Sequence, residues 1–219
     1  KLAHEIKNPL TPIQLTIDRL KNKYSDKINV DEKEKFKEYL NIINKQIKQI
    51  ENLVNQFSDF ARMPKPILKD NNLVLIIDEN VKLLREFNNN IEINFESSHQ
   101  KIIFNSDYEQ LSRVFFNLIK NGIESIQEKN LITEDNRGII NIELYNNNGE
   151  ITAVIIDNGM GFKIFANNIR DILNPYFTTK KKGTGLGLAI VNKIINDHNG
   201  SIDFMPIDNG AKIIIKFIK

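Results

Sequence analysis

The chain has 219 residues, 41% of them hydrophobic, enough to bury the core of one large or two modest domains. Thirty Lys and Arg against 28 Asp and Glu leave a net charge of +2, which argues against nucleic-acid or membrane-surface binding driven by bulk charge. With no cysteine there can be no disulfide or thiolate metal site, and no run reaches the roughly 18 apolar residues of a membrane span.

The chain opens on Lys1 with neither a Met nor a signal-like segment, so it reads as a piece of a longer protein. Two long helices are predicted first. In one, Ile6, Leu10, Ile13, Ile17, Leu20 and Tyr24 step alternately by four and three; in the other, Phe36, Leu40, Ile43, Ile47, Ile50, Val54, Phe57 and Ala61 do the same. That spacing is a coiled-coil seam. Ser25 to Asp31 reads as a turn with Asp31 capping the second helix, which makes a helical hairpin. Two helices cannot enclose both seams, and each large side chain left exposed forgoes roughly 1.5 to 3 kcal/mol. A second copy is therefore expected to complete a four-helix bundle. Met63-Pro-Lys-Pro66 ends the second helix, because proline lacks a donor and the residue before it avoids helical angles. The domain boundary is placed there, giving a hairpin over 1–65 and a second domain over 66–219.

The second domain mixes helix and strand. Leu73 to Phe87 is predicted as a helix, Ile91 to Glu96 and Lys101 to Asn105 as strands, and Tyr108 to Gln127 as a strongly apolar helix. Ile139 to Tyr145 and Ile151 to Asp157 alternate as a hairpin across Asn146-Asn-Asn-Gly149. Leu186 to Asp197 is a helix, and Ser201 to Met205 and Ala211 to Ile218 close a sheet across Asp208-Asn-Gly210. Short turns between consecutive strands predict a largely antiparallel sheet with helices on one face.

Four segments carry chemistry. His4 and Asn8, four apart, share a helix face on the flank of the seam, open to solvent and to another protein. Pro9 and Pro12 remove the hydrogen bonds to the carbonyls of Glu5 and Asn8, so the backbone beside His4 is expected to bend and carry free acceptors. Glu5 is placed to orient the imidazole and raise its basicity, leaving the other ring nitrogen as nucleophile. Asn117 and Asn121 share a face of an otherwise apolar helix and need partners: a magnesium ion carrying phosphate oxygens, or a hydrogen bond to a neighbouring loop. Asp157-Asn-Gly-Met-Gly161 follows a strand of Val154, Ile155 and Ile156. Its carboxylate suits the adenine amino group, although the segment is also a good turn. Gly183-Thr-Gly-Leu-Gly187 opens a helix and offers backbone donors to phosphate, beside the run Lys180 to Lys182. It is neither the dinucleotide fingerprint nor a Walker loop. His99 and His198 read as structural, His198 at a helix end with Gly200 as its cap.

Taken together, these segments resemble the catalytic core of bacterial sensor histidine kinases over essentially the whole chain. His4-Glu-Ile-Lys-Asn-Pro-Leu-Thr-Pro12 is similar to the phosphoacceptor box, Asn117 to Asn121 to the asparagine box, and Asp157 to Gly161 to the first glycine box. Tyr176-Phe-Thr-Thr-Lys180 is similar to the phenylalanine box and Gly183 to Gly187 to the second glycine box. The detail is most like nitrogen-regulation kinases of the NtrB and NtrY kind. Gly122 and Ser125 stand where the family usually has alanines.

The resemblance implies an α+β chain, a dimeric four-helix bundle followed by a Bergerat-type α/β sandwich, using ATP and Mg2+. It implies His4 as phosphoacceptor, Asn121 as magnesium ligand, Asn117 and Lys120 at the phosphates, and Asp157 reading adenine with Gly159 and Gly161 shaping the pocket. A mobile lid would span 162–182, anchored by Phe177. Thr178, Thr179, Lys180, Gly183, Thr184, Gly185, Leu186 and Gly187 would complete the nucleotide site. The expected activity is autophosphorylation of His4 and transfer to an aspartate of a response-regulator receiver domain. Asn8 would support dephosphorylation of that regulator. The expected setting is the cytoplasmic portion of a membrane-anchored sensor. A gyrase-like or chaperone-like ATPase is disfavoured because Asn117 occupies the position of their glutamate base. A scaffold without catalysis is disfavoured because His4, Asn121, Asp157 and the glycine loop are all intact.

Overall fold

The computed structural model describes residues 2–25, 27–133, 137–162, 169–180 and 183–218, with side chains at 2–7, 30, 31, 56, 59, 131–133 and 170 outside the description. It divides into two compact units, Lys1–Met63 and Pro64–Lys219.

The first unit is a hairpin of α1 (Leu2–Tyr24) and α2 (Val30–Ala61). α1 continues through Pro9 and Pro12, and the hydroxyl of Thr16 donates to the Pro12 carbonyl at 2.8 Å. α2 is entered from Asn29, in an extended conformation at φ −54° and ψ 146°, so Asp31 is its second residue and not its cap. The two seams divide unequally. Leu10, Ile17, Leu40 and Ile47 are 4–7% exposed and form one cluster with Phe36, whereas Ile13, Ile43 and Ile50, half a heptad away, are 42–46% exposed. From Leu10 to Ile17 and from Leu40 to Val54 the hairpin encloses every second layer of its coiled-coil pattern and leaves the alternate layers at the surface. Among the described residues, no helix is long and apolar enough to cross a membrane.

The second unit runs β1 (Lys69–Asn72), α3 (Leu73–Phe87), β2 (Ile91–Ser97), β3 (Ile103–Ser106), α4 (Tyr108–Thr133), β4 (Gly138–Asn147), β5 (Glu150–Asp157), a 3-10 turn (Ile169–Leu173), α5 (Gly187–Asp197), β6 (Gly200–Ile207) and β7 (Gly210–Ile218). Its main sheet has the order β2-β4-β5-β7-β6 and is antiparallel except for β2 and β4, which run parallel. The parallel pair departs from the expected short-turn connections. β3 does not fold back on β2 but pairs with β1 in a separate two-stranded ribbon, and α4 then carries the chain back to start β4 beside β2. Asn72 ties this detour together: its side chain accepts from Val74 N–H as the cap of α3 and from Ile102 N–H at 3.0 Å.

Helices α3, α4 and α5 pack on one face of the sheet. Phe115, Leu118, Ile119 and Ile126 of α4 lie over β4 and β5, whose inward residues include Ile140, Ile142 and Ile155, and Phe217 of β7 packs against the Phe104 ring; all but Phe104 are 2% exposed or less. The β4–β5 turn is Asn148-Gly149, both at positive φ (50° and 93°), the geometry that matches strand twist in a two-residue hairpin. At the end of α5 the left-handed residue is Asn199 (φ 56°), not Gly200. Gly200 is instead required by close approach, since a Cβ there would stand 2.7 Å from the Phe217 ring.

Candidate functional site

The site forms where β5 ends over the middle of α4. Asp157 is the last residue of β5 and is buried, 5% exposed. Removal from water pushes its carboxyl up to about 6, an effect opposed by backbone N–H groups of Gly159 and Ala211 and by the ammonium groups of Lys129 and Lys180. Gly159 N–H donates to Asp157 Oδ1 at 2.9 Å, which directs the other oxygen away from the turn. Asn158 locks the turn to β4: its Oδ1 accepts from Ile139 N–H at 2.8 Å and its Nδ2 donates to the Arg137 carbonyl at 2.8 Å.

The glycines here are needed for contact as well as for conformation. A Cβ on Gly159 would fall 2.4 Å from Ser125 Oγ, and one on Gly161 (φ 70°) 2.3 Å from the Gly210 carbonyl. Ser125, where alanine was expected, has a use: its hydroxyl accepts Met160 N–H at 2.9 Å and fastens the loop to α4. Gly122 lies beneath Asp157, and a methyl there would be 3.4 Å from the Asp157 Cβ. The helix is continuous through it.

Asn117 and Asn121 are half-buried on α4 and Lys120 is exposed. Lys180 Nζ donates to Asn121 Oδ1 at 3.3 Å and to Glu124 Oε2, while Lys120 Nζ lies 3.8 Å from Glu124 Oε1. A cation is thus already held between an amide oxygen and a carboxylate, and hard oxygen donors of this kind suit Mg2+ with phosphate and water completing its shell. Phe177, Thr178 and Thr179 are exposed. The buried residue of this segment is Ile172 of the 3-10 turn, at 4% exposed.

The phenylalanine-box segment is fastened to the glycine loop through backbone. Tyr176, at φ 71°, donates its N–H to the Gly185 carbonyl at 3.0 Å, and a Cβ on Gly185 (φ 68°) would strike the Tyr176 carbonyl carbon at 2.3 Å. Gly183 packs against Thr178, and Thr184 is half-buried beside it. Leu186 is fully buried, so its side chain belongs to the core and only its backbone faces the loop. Gly187 begins α5 with open space where a Cβ would be, leaving the helix N-terminus accessible.

Three residues that the motifs did not flag complete the frame. Lys129 donates to the Asn158 carbonyl at 2.7 Å and to Asn209 Oδ1 at 2.6 Å. Gly210 (φ 120°) passes so close to Asp157 that a Cβ would overlap its carbonyl oxygen at 1.7 Å. His198, buried at the end of α5, accepts Asp107 N–H on Nε2 at 3.0 Å while Nδ1 meets the Ile194 carbonyl at 2.8 Å. Of these, sequence offered His198 as a structural residue at a helix end and Gly210 at the close of the Asp208-Asn-Gly210 turn, and gave no signal for Lys129. His4, Glu5 and Asn8 lie on α1 in the first unit; Asn8 is exposed, and the side chains of His4 and Glu5 lie outside the described residues. Lys181, Lys182 and residues 163–168 of the expected lid also lie outside them.

Comparison with known proteins agrees with this division. Residues 1–66 match the His Kinase A (phospho-acceptor) domain, and residues 106–219 match the histidine kinase-, DNA gyrase B-, and HSP90-like ATPase family. The putative sensor histidine kinase NtrY-like of Rickettsia felis is 38% identical over 218 residues, 99% of this chain and 35% of its own. The nitrogen regulation protein NtrY of Azorhizobium caulinodans is 37% identical, covering 96% of this chain and 27% of its own. The chain thus spans about a third of the length of these relatives. Among solved structures, histidine kinase ThkA in complex with response regulator protein TrrA covers 100% of this chain and 60% of that one, with 27% identity and a TM-score of 0.68. The phosphoacceptor segment on a helical hairpin, the boxes gathered around Asp157 and these matches over both units agree: the chain belongs to the sensor histidine kinases, most like those of the NtrB and NtrY kind.

Proposed function

We propose that the chain is the kinase core of a two-component sensor: it moves the γ-phosphoryl group of ATP to His4 and from there to an aspartate of a response-regulator receiver domain. The observation that carries this reading is a buried carboxylate at a strand end, framed by glycines and facing a helix that presents Asn117 and Asn121. Asp157 accepts from the adenine amino group, Asn158 and Ser125 hold the loop in place, and the N-terminus of α5 receives phosphate oxygens. Asn121 holds Mg2+, which when bound neutralises phosphate charge. A ring nitrogen of His4 forms the new N–P bond as the bond to ADP breaks. In the second step the aspartate oxygen takes the phosphoryl group from that nitrogen. Positioning dominates the chemistry, as in phosphoryl transfer generally.

The assembly in this proposal is a homodimer through α1 and α2, supported by the exposed alternate layers Ile13, Ile43 and Ile50. Asn8, exposed one turn beyond His4, orients water toward a phosphorylated receiver, so Asn8→Ala slows regulator dephosphorylation more than autophosphorylation. The central test is incubation with magnesium ATP. The wild type gains an acid-labile phosphate; His4→Gln removes it and still binds nucleotide. Label persisting on His4→Gln refutes the assignment.

A further inference from the structure

Lys180 and Glu124 form a contact that the proposed reaction does not itself require. Lys180 ends the phenylalanine-box segment, 56 residues beyond Glu124 in sequence, yet its ammonium sits on Glu124 Oε2 and 3.3 Å from Asn121 Oδ1. Both side chains are about two-thirds buried, 34% and 38% exposed, so the pair is shielded beyond an ordinary surface ion pair. The same ammonium acts on Asp157. Lys180 therefore lies inside the nucleotide pocket on the amide oxygen assigned to the metal. Glu124 also faces Lys120 at 3.8 Å, so its carboxylate is a common seat for two cations, one from α4 and one from the loop.

We infer that Lys180 is a built-in counter-ion for the metal position: seated by Glu124, it occupies Asn121 when Mg2+ is absent, and Mg2+ and the ammonium compete for that oxygen. This rests on the nucleotide-site reading above. An ammonium and a hydrated Mg2+ cannot share one amide oxygen at contact distance without strong repulsion. On arrival of the metal the lysine must leave Asn121, and the polyphosphate is the nearest compensating anion. When ATP arrives without metal, the ammonium already in place supplies part of the missing positive charge. Glu124 is a positioning residue in this scheme, acting through Lys180 and Lys120.

Two measurements test it. The first is the reactivity of Lys180 toward an amine-labelling reagent in the nucleotide-free protein, read by peptide mass spectrometry. Glu124→Gln is expected to raise it about fivefold or more as a charge-assisted hydrogen bond is lost; an equal rate in both proteins overturns the seat. The second is the ratio of ATP affinity with Mg2+ to that with EDTA, by calorimetry. Lys180→Met is expected to widen the magnesium advantage about tenfold, because metal-free ATP loses its counter-charge, and Lys180→Arg to restore much of it. An unchanged ratio in Lys180→Met overturns the inference alone. A wild type that binds ATP under neither condition overturns the nucleotide-site reading, and this inference with it.

Discussion

The two units solve the problem of burying apolar surface differently. In the second, three helices cover one face of a five-stranded sheet, and Leu118, Ile119, Ile140 and Phe217 are closed off within one chain. In the hairpin, Leu10, Ile17, Leu40 and Ile47 are closed off but Ile13, Ile43 and Ile50 are not, although all belong to the same repeating pattern. A helix pair has only one mutual seam, whereas a sheet offers a whole face. The first unit thus keeps Ile13, Ile43 and Ile50 at its surface, the layers on which the proposed second copy would pack, while the second closes its core within one chain.

The sharpest way to break this comparison is Ile43→Lys. If Ile43 packs in a homodimer, the substitution removes two large side chains from one interface, roughly 3 to 6 kcal/mol, and weakens dimerisation at least about 100-fold. Sedimentation equilibrium would show it, with the melting of the second unit unmoved. A dimer of unaltered affinity would mean that the exposed layers are not the interface.

A smaller effect, of the opposite sign, is expected at Asp157. Its carboxyl is raised from 3.8 to about 6 in the folded chain, so its contribution to stability is fully present below pH 3.8 and is lost as pH rises through about 6. Above that, the buried charge costs up to about 3 kcal/mol. Asp157→Asn should therefore raise the melting temperature of the second unit at pH 8, by an amount that vanishes near pH 4, while abolishing tight ATP binding. In the wild type, ATP affinity should fall as pH drops below about 6. A variant that is no more stable at pH 8 than at pH 4, relative to wild type, would show that burial does not set this carboxyl.

The smallest effect is expected from Gly122→Ala. Helix propensity favours it by about 1 kcal/mol, while its methyl would press Ile140 Cδ1 at 3.1 Å, the far end of a side chain that can yield. A net gain of roughly 0.5 kcal/mol in urea unfolding is expected, confined to the second unit. A loss above 1 kcal/mol would mean that the space beneath Asp157 is needed empty.

Much of this was legible along the chain. The four-and-three steps of Leu10, Ile13, Ile17 and Leu40, Ile43, Ile47 announce paired helices because side-chain direction repeats with the helical turn. Asn146-Asn-Asn-Gly149 announces a hairpin, and the structure narrows it to Asn148-Gly149, both at positive φ. The boxes from Asn117 to Gly187 mark the proposed nucleotide site, since each keeps its residues within a short segment.

What the sequence did not disclose depends on groups far apart in the chain. Asp31 was passed over as a cap because the turn closes two residues earlier, at Asn29. β3 leaves β2 for β1, and β2 pairs in parallel with β4, because free edges compete for strands and no local pattern ranks the competitors. The same holds for Ser125 on Met160, Gly210 against Asp157, His198 on Asp107 and Lys180 on Asn121. Sequence by itself determined most of the helices and strands, though not β1 or the 3-10 turn, through periodicity and backbone preference. Only the tertiary structure decided which polar groups meet across 35 to 91 residues, because a hydrogen bond exists only where the folded path brings a donor within about 3 Å of an acceptor.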